Sequence, residues 1–220
     1  MTTLLSTLGT LYNLSKFVDI RKEFSPADKR LLSEYQYSRV MKVRVGRIPL
    51  NNMVGTALNI LTIGQWEQAK AKYGYDKIFH LFMVLDVMDR RNNKIVNIVL
   101  EKNETPRLYK INKLPNSQGT EYMNVEKSIG ITLGEFIGNA QASMKTKFWV
   151  YNAFDNNCQD FIIGVLGANH ILTPQVRDFV KQPINDIVKE LPSYTSSIAT
   201  GITDISAKLR RLTGRGLNMV

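Results

Sequence analysis

The chain has one cysteine, Cys158, and two histidines, His80 and His170. A thiol becomes an effective nucleophile when an imidazole takes its proton and a third polar group orients that imidazole. Any thiol chemistry here must therefore be built on Cys158. In Asn156-Asn157-Cys158-Gln159-Asp160-Phe161 the cysteine stands at a predicted helix start. Phe161, Ile162, Val165 and Leu166 recur on one helical face, Asn157 precedes the run as an N-cap, and Gly167 follows as a C-terminal stop. A sulfur in the first turn lies among unpaired backbone N–H groups at the positive end of the helix dipole, which favours the thiolate. The alternative reading of Cys158 is a small buried hydrophobe on an apolar face.

Only one histidine is a candidate base. His170 lies twelve residues beyond Cys158, about 18 Å along a continuous helix at about 1.5 Å per residue, and belongs to the opposite end. His80 sits in Lys77-Ile78-Phe79-His80-Leu81-Phe82-Met83-Val84, an otherwise apolar strand, as either a satisfied core histidine or a functional one. Apolar Ile78–Met88, polar Asp89–Asn93 and β-branched Lys94–Leu100 together predict a hairpin. If Arg90 pairs with Asn93 across a two-residue loop, the indices of paired residues sum to 183 and His80 faces Asn103. A sum of 181 brings Glu101 opposite instead, and the intermediate sum brings Lys102, so register decides the partner. Either Asn103 or Glu101 would hold the imidazole in one tautomer and orientation.

Other elements must position these groups. Ser25-Pro26-Ala27-Asp28 predicts a helix opening, with the helix running to about Tyr37. Val43–Ile48 alternates apolar and basic residues as a strand does, and Pro49 ends it. A helical pattern covers about Asn52 to Lys72, with a possible break at Gly64. A strand is expected around Arg107–Ile111, then a loop through Pro115, Asn116 and Gly119, then a helix over Thr132–Met144. The order α, β, α predicts an α+β domain with its sheet packed against the cysteine helix. Past Pro174 the pattern changes: Ser193–Ser197 reads as a linker, and Ile198, Ile202, Ile205, Leu209 and Leu212 form a short heptad seam. That seam is read as a helix docking on its own domain, or else on a partner helix or membrane surface. The expected organisation is a helical extension over 1–40, a central α+β domain over 41–175, and a linker with an amphipathic tail over 176–220.

Composition narrows the classes. A single cysteine excludes an intrachain disulfide framework and a cysteine-rich zinc site, so neither metal nor cofactor is expected. The N-terminal Leu4, Leu5, Leu8, Leu11 and Leu14 are interrupted by Thr and Ser with no basic region ahead of them. This points away from a secretory signal and towards a cytoplasmic protein. No uninterrupted apolar run is long enough to span a bilayer. The net charge of +10 favours anionic partners, but the basic residues are dispersed, with clusters at Arg39–Arg47 and Lys208–Arg215. Specific nucleic-acid recognition is therefore not expected.

The order of His80 in a strand, Glu101-Lys102-Asn103 on the next, and Asn157-Cys158-Gln159-Asp160-Phe161 opening a helix resembles the circularly permuted papain-like, NlpC-type thiol hydrolases. The lecithin:retinol acyltransferase-like branch is the best-known group among them. The likeness is most specific over Trp149–Gly164, then around His80, and covers roughly Val43–Ala168. It implies a permuted papain-like fold, with an antiparallel sheet against a helix that carries the cysteine at its N-terminus, plus extra terminal helices. It also implies Cys158 as nucleophile and His80 as base. The family's orienting residue on the following strand is often a histidine, a place that Asn103 or Glu101 would fill here. The Asn-Cys-Gln form with a Glu-Lys-Asn strand is similar to members encoded by large DNA viruses, which would place the protein in host cytoplasm or virion. Leu212-Thr213-Gly214-Arg215-Gly216 resembles cleavage sites of adenovirus-type maturation proteases, or is simply a glycine-rich tail.

The chemistry so implied is acyl transfer through a thioester on a peptide, amide or acyl-ester substrate. The Cys158 backbone N–H, aided by Gln159 or Asn157, would stabilise the oxyanion. Two other readings stand beside it. One is a non-enzymatic structural or virion component that keeps the fold. The other is a membrane-associated lipid acyltransferase or phospholipase using the 198–212 seam.

Overall fold

The computed structural model describes residues 23–49, 68, 71–72, 79–103, 105–125, 129–151 and 156–181. The leucine-rich N-terminal segment, all but three positions of the predicted 52–72 helix, the 198–212 seam and the 212–216 tail lie outside the described residues.

The described part is α+β. Helix α1 (Pro26–Tyr35) begins at Ser25, whose hydroxyl accepts from the Asp28 amide, with proline in the first turn. Five strands follow: β1 (Arg39–Pro49), β2 (Phe79–Met88), β3 (Ile95–Lys102), β4 (Pro106–Ile111) and β5 (Glu121–Val125). Then come α2 (Leu133–Met144), the single turn α3 (Thr146–Trp149), α4 (Cys158–Ala168) and α5 (Pro174–Val180). The sheet is antiparallel with order β4-β3-β2-β1-β5.

Strand β1 is longer than its alternating segment predicts because it has neighbours on both sides, β2 from Arg39 to Pro49 and β5 from Val43 to Arg47. Strand β5 itself has no expectation in the sequence reading. Its five residues are mostly exposed or half-buried, so no apolar period marks it, and only pairing with β1 makes it a strand. The β2–β3 turn is wider than the two-residue loop, since Asp89 N–H donates to Lys94 O and Asn93 N–H to Asp89 O. Asn93 takes φ +55°, a left-handed conformation that asparagine tolerates. Arg91 fastens the turn with two side-chain bonds to Asp89, of 2.9 and 2.7 Å.

One face of the sheet builds the main core. Val43, Val45, Leu81, Met83, Leu85, Ile98 and Leu100 are buried with Phe136, Ile137, Phe161, Ile162 and Val165 from α2 and α4. The other face carries a smaller cluster of Phe82, Val84, Val99 and Ile111, with Ile48, Tyr109 and Tyr122 against it. Gly46 is required there, because a Cβ would stand 2.3 Å from the Phe82 ring.

The expected domain limits do not coincide with edges of this core. Helix α1, assigned to the 1–40 extension, buries Leu32 and Tyr35 in the same cluster. Its Asp28 accepts from the Leu108 amide of β4 at 3.1 Å and pairs with Arg107. Helix α5 crosses the limit at 175 and contributes Val176 and Val180. Apolar burial and a buried carboxylate join both segments to the sheet, which a composition change along the chain does not reveal. Among the described residues no helix is long and apolar enough to cross a membrane.

Candidate active site

Cys158 is the first residue of α4, half-buried and unpaired by any disulfide. The local sequence makes the helix start there. Asn157 is in extended conformation, its Oδ1 accepts from the Gln159 amide at 2.8 Å and the Asp160 amide at 3.3 Å, and Asp160 reaches back to the Asn157 amide. This reciprocal capping box satisfies three donors around the sulfur. The far end of α4 differs from the predicted stop at Gly167. The helix continues to Ala168 with Asn169 as C-cap, and His170 takes φ +56°. Bonds from Ile171 N to Leu166 O and from His170 N to Gly167 O, each 3.0 Å, close a Schellman motif. Asn169 stabilises it by donating to Phe136 O and Val165 O, so a histidine stands where glycine is usual. His170 is thus an exposed C-terminal residue at the opposite end from the thiol.

His80 is the second residue of β2, opposite Ile48 of β1. Its Nε2 lies 2.8 Å from Glu101 Oε2, and its ring also hydrogen-bonds the Cys158 thiol. With Nε2 committed to the carboxylate, Nδ1 is the ring nitrogen left for sulfur. The β2–β3 register has Phe82 opposite Glu101 and Met83 opposite Leu100, a sum of 183. In that register Asn103, not Glu101, would lie directly across from His80. Strand β3 ends at Lys102, however, so Asn103 lies beyond the ladder, and the contact is made diagonally by Glu101 two positions away. By strand alternation His80 and Glu101 share the face of Phe82 and Val84, whereas α4 packs on the opposite face. Sulfur and imidazole therefore meet at the margin of the sheet, where β2 begins. His80 keeps 19% of its side chain exposed there, and Glu101 only 8%.

The electrostatics are those of an ion pair. Burial alone pushes the His80 pKa down, but the hydrogen bonds that the ring makes to Cys158 and Glu101, and their negative charges, outweigh it and raise the pKa to about 10. Tyr109 lies on the same face as Glu101. Its phenol is raised above the ordinary range by burial and then by the Glu101 charge, so it stays protonated beside the carboxylate. Tyr151 is raised as well, by burial and then by the charges of Cys158 and Asp160. Arg47 fixes the strand end that carries His80. Its guanidinium stacks on Phe79 at 4.6 Å and Phe179 at 4.3 Å, donates to Phe179 O and pairs with Glu121 at 2.7 Å.

Of the residues singled out from sequence, Cys158, His80 and Glu101 come together. Asn157 is occupied as the cap, and Gln159 is buried with its amide bound to that cap. Sequence reasoning gave no role to Lys102, which is fully buried and donates to Lys147 O at 2.6 Å and to Val150 O. Nor did it give one to Asn156, which donates to the same two oxygens. The one available signal was a lysine at the end of an otherwise apolar strand face shared with Ile98 and Leu100. Among the described residues no group of three or more His, Cys, Asp or Glu is placed to hold a metal ion.

No family model matches this chain, and no curated protein or solved structure matches it.

Proposed function

We propose that the protein is a cysteine-dependent hydrolase or acyltransferase that acts on a peptide, amide or acyl-ester substrate through a thioester. The observation behind this reading is one imidazole bridging the chain's lone thiol and a buried carboxylate. The order of histidine strand, carboxylate strand and cysteine-first helix supports the permuted papain-like fold within the α+β class.

Each step follows from the groups present. With its pKa raised to about 10, His80 is basic enough to take the thiol proton as sulfur attacks. The thiolate attacks the carbonyl carbon, forming the C–S bond as the carbonyl oxygen becomes an oxyanion. Asn157 Oδ1 takes the amides of Gln159 and Asp160, so the Cys158 N–H is the first-turn donor left for that oxyanion. Collapse breaks the bond to the leaving group, which departs with the proton from His80. The neutral imidazole then takes a proton from water or another acceptor, whose oxygen or nitrogen attacks the thioester and releases the acyl group. That return proton restores the thiol–imidazole pair. Glu101 holds the ring in place through its contact with Nε2.

The test is hydrolysis of an activated acyl thioester by wild type, Cys158→Ala and His80→Ala. The expected result is turnover in wild type alone, with a covalent acyl adduct on Cys158 visible by mass spectrometry. Full activity in Cys158→Ala would remove the thiol from the mechanism.

A further inference from the structure

Two side chains from different parts of the chain hold the same pair of carbonyl oxygens. Lys102, the last residue of β3, donates through Nζ to Lys147 O at 2.6 Å and to Val150 O. Asn156, two residues before the nucleophile, donates through Nδ2 to Lys147 O at 2.9 Å and to Val150 O at 2.5 Å. The acceptors lie at the C-terminal end of α3, where carbonyls point out of the helix and attract positive charge. Glu101 precedes Lys102 directly, and successive strand residues point to opposite faces. Glu101 thus turns to His80 while Lys102 turns inward, with its ammonium 5.5 Å from the Phe161 ring centre. The carboxylate arm and the thiol arm of the site therefore share one anchor.

We propose that Lys102, acting with Asn156, is the positioning residue of this site: by gripping the Lys147 and Val150 carbonyls it fixes the start of the cysteine helix against the end of β3. This rests on the thiol–imidazole reading above and adds to it the element that sets the sulfur–imidazole separation. A lysine is otherwise an expensive choice for a fully buried position. Burial lowers its pKa to about 8, but the neutral amine keeps two N–H donors for two acceptors, so the grip survives loss of the proton.

The geometry also makes the test feasible. Each carbonyl receives a donor from both side chains, so removing either leaves both oxygens bonded. Lys102→Met keeps the stem and removes a buried charge, and Asn156→Ala removes the other donor; each single variant is expected to fold. The experiment measures the second-order rate of Cys158 alkylation by iodoacetamide from pH 5 to 10, with thermal unfolding in parallel, for wild type, His80→Ala, Lys102→Met and Asn156→Ala. The expected result is a loss of about tenfold to a hundredfold in both positioning variants at neutral pH, the range set by a misplacement of about 1 Å. The profile should move towards that of His80→Ala, and Tm should fall less than activity does. A lower Tm with an unchanged pH–rate profile would show Lys102 to be structural only and overturn the proposal. So would wild-type rates in both variants. If wild type and His80→Ala alkylate alike, the dyad itself is wrong and this assignment goes with it, a result that the variants at Lys102 and Asn156 cannot mimic.

Discussion

Glu101→Gln removes one negative charge from beside His80 Nε2, 2.8 Å away, and leaves a side chain of the same size. The carboxylate acts on the imidazole through both a hydrogen bond and its charge, and with Cys158 it outweighs the effect of burial. An opposite charge at such range moves a pKa by roughly one to three, about 1.4 kcal/mol for each. His80 in the variant should therefore titrate roughly one to three pH units below its wild-type value of about 10. The sign for stability follows. The folded pKa lies above the ordinary 6.5, so the contribution of the pair is complete below about pH 6.5 and is lost as pH rises through about 10. In Glu101→Gln that loss arrives at lower pH. With two histidines in the chain, NMR of the ring Cε1–H signals resolves the titration directly. The alkaline limb of Cys158 alkylation should shift in parallel. A His80 titration identical in wild type and variant, or a wild-type midpoint near 6.5, would refute the assignment of Glu101 as orienting group.

Two further outcomes test the frame around the site. Gly46→Ala drives a methyl into the Phe82 ring, and should lower stability to chemical denaturation by about 1–3 kcal/mol; an unchanged midpoint would place the ring elsewhere. Asp28→Ala leaves the buried Leu108 amide without its acceptor and Arg107 without its partner. A loss of about 1–3 kcal/mol is expected, with faster hydrogen exchange at β4 before the rest of the sheet. Exchange no faster at Leu108 than in wild type would contradict the role of α1 as the clasp of that edge.

The parts of the molecule written locally are the ones the sequence discloses. Asn157, Cys158 and Asp160 spell a helix start because the capping box needs only residues three apart. The β2–β3 pairing follows from two apolar runs either side of a polar turn, although the turn closes at Asp89 and Lys94. Choosing between Asn103 and Glu101 required knowing where β3 stops and that the side chains meet diagonally, and both depend on the third dimension. Lys102 was less legible still. Nothing in its neighbourhood announces that two carbonyls some 45 residues downstream will surround its ammonium. Strand β5 and the inclusion of α1 in the core depend likewise on partners distant in the chain.

The imidazole–carboxylate contact spans only 21 residues and lies within one hairpin. It can form as soon as that hairpin closes, on the microsecond scale typical of such local events. The sulfur belongs to a helix much later in the chain, and its place beside the imidazole depends on the long-range packing of α4. A thiol–imidazole contact between Cys158 and His80 therefore requires the tertiary structure. On the thiol–imidazole reading proposed above, folding itself is the safety catch on Cys158.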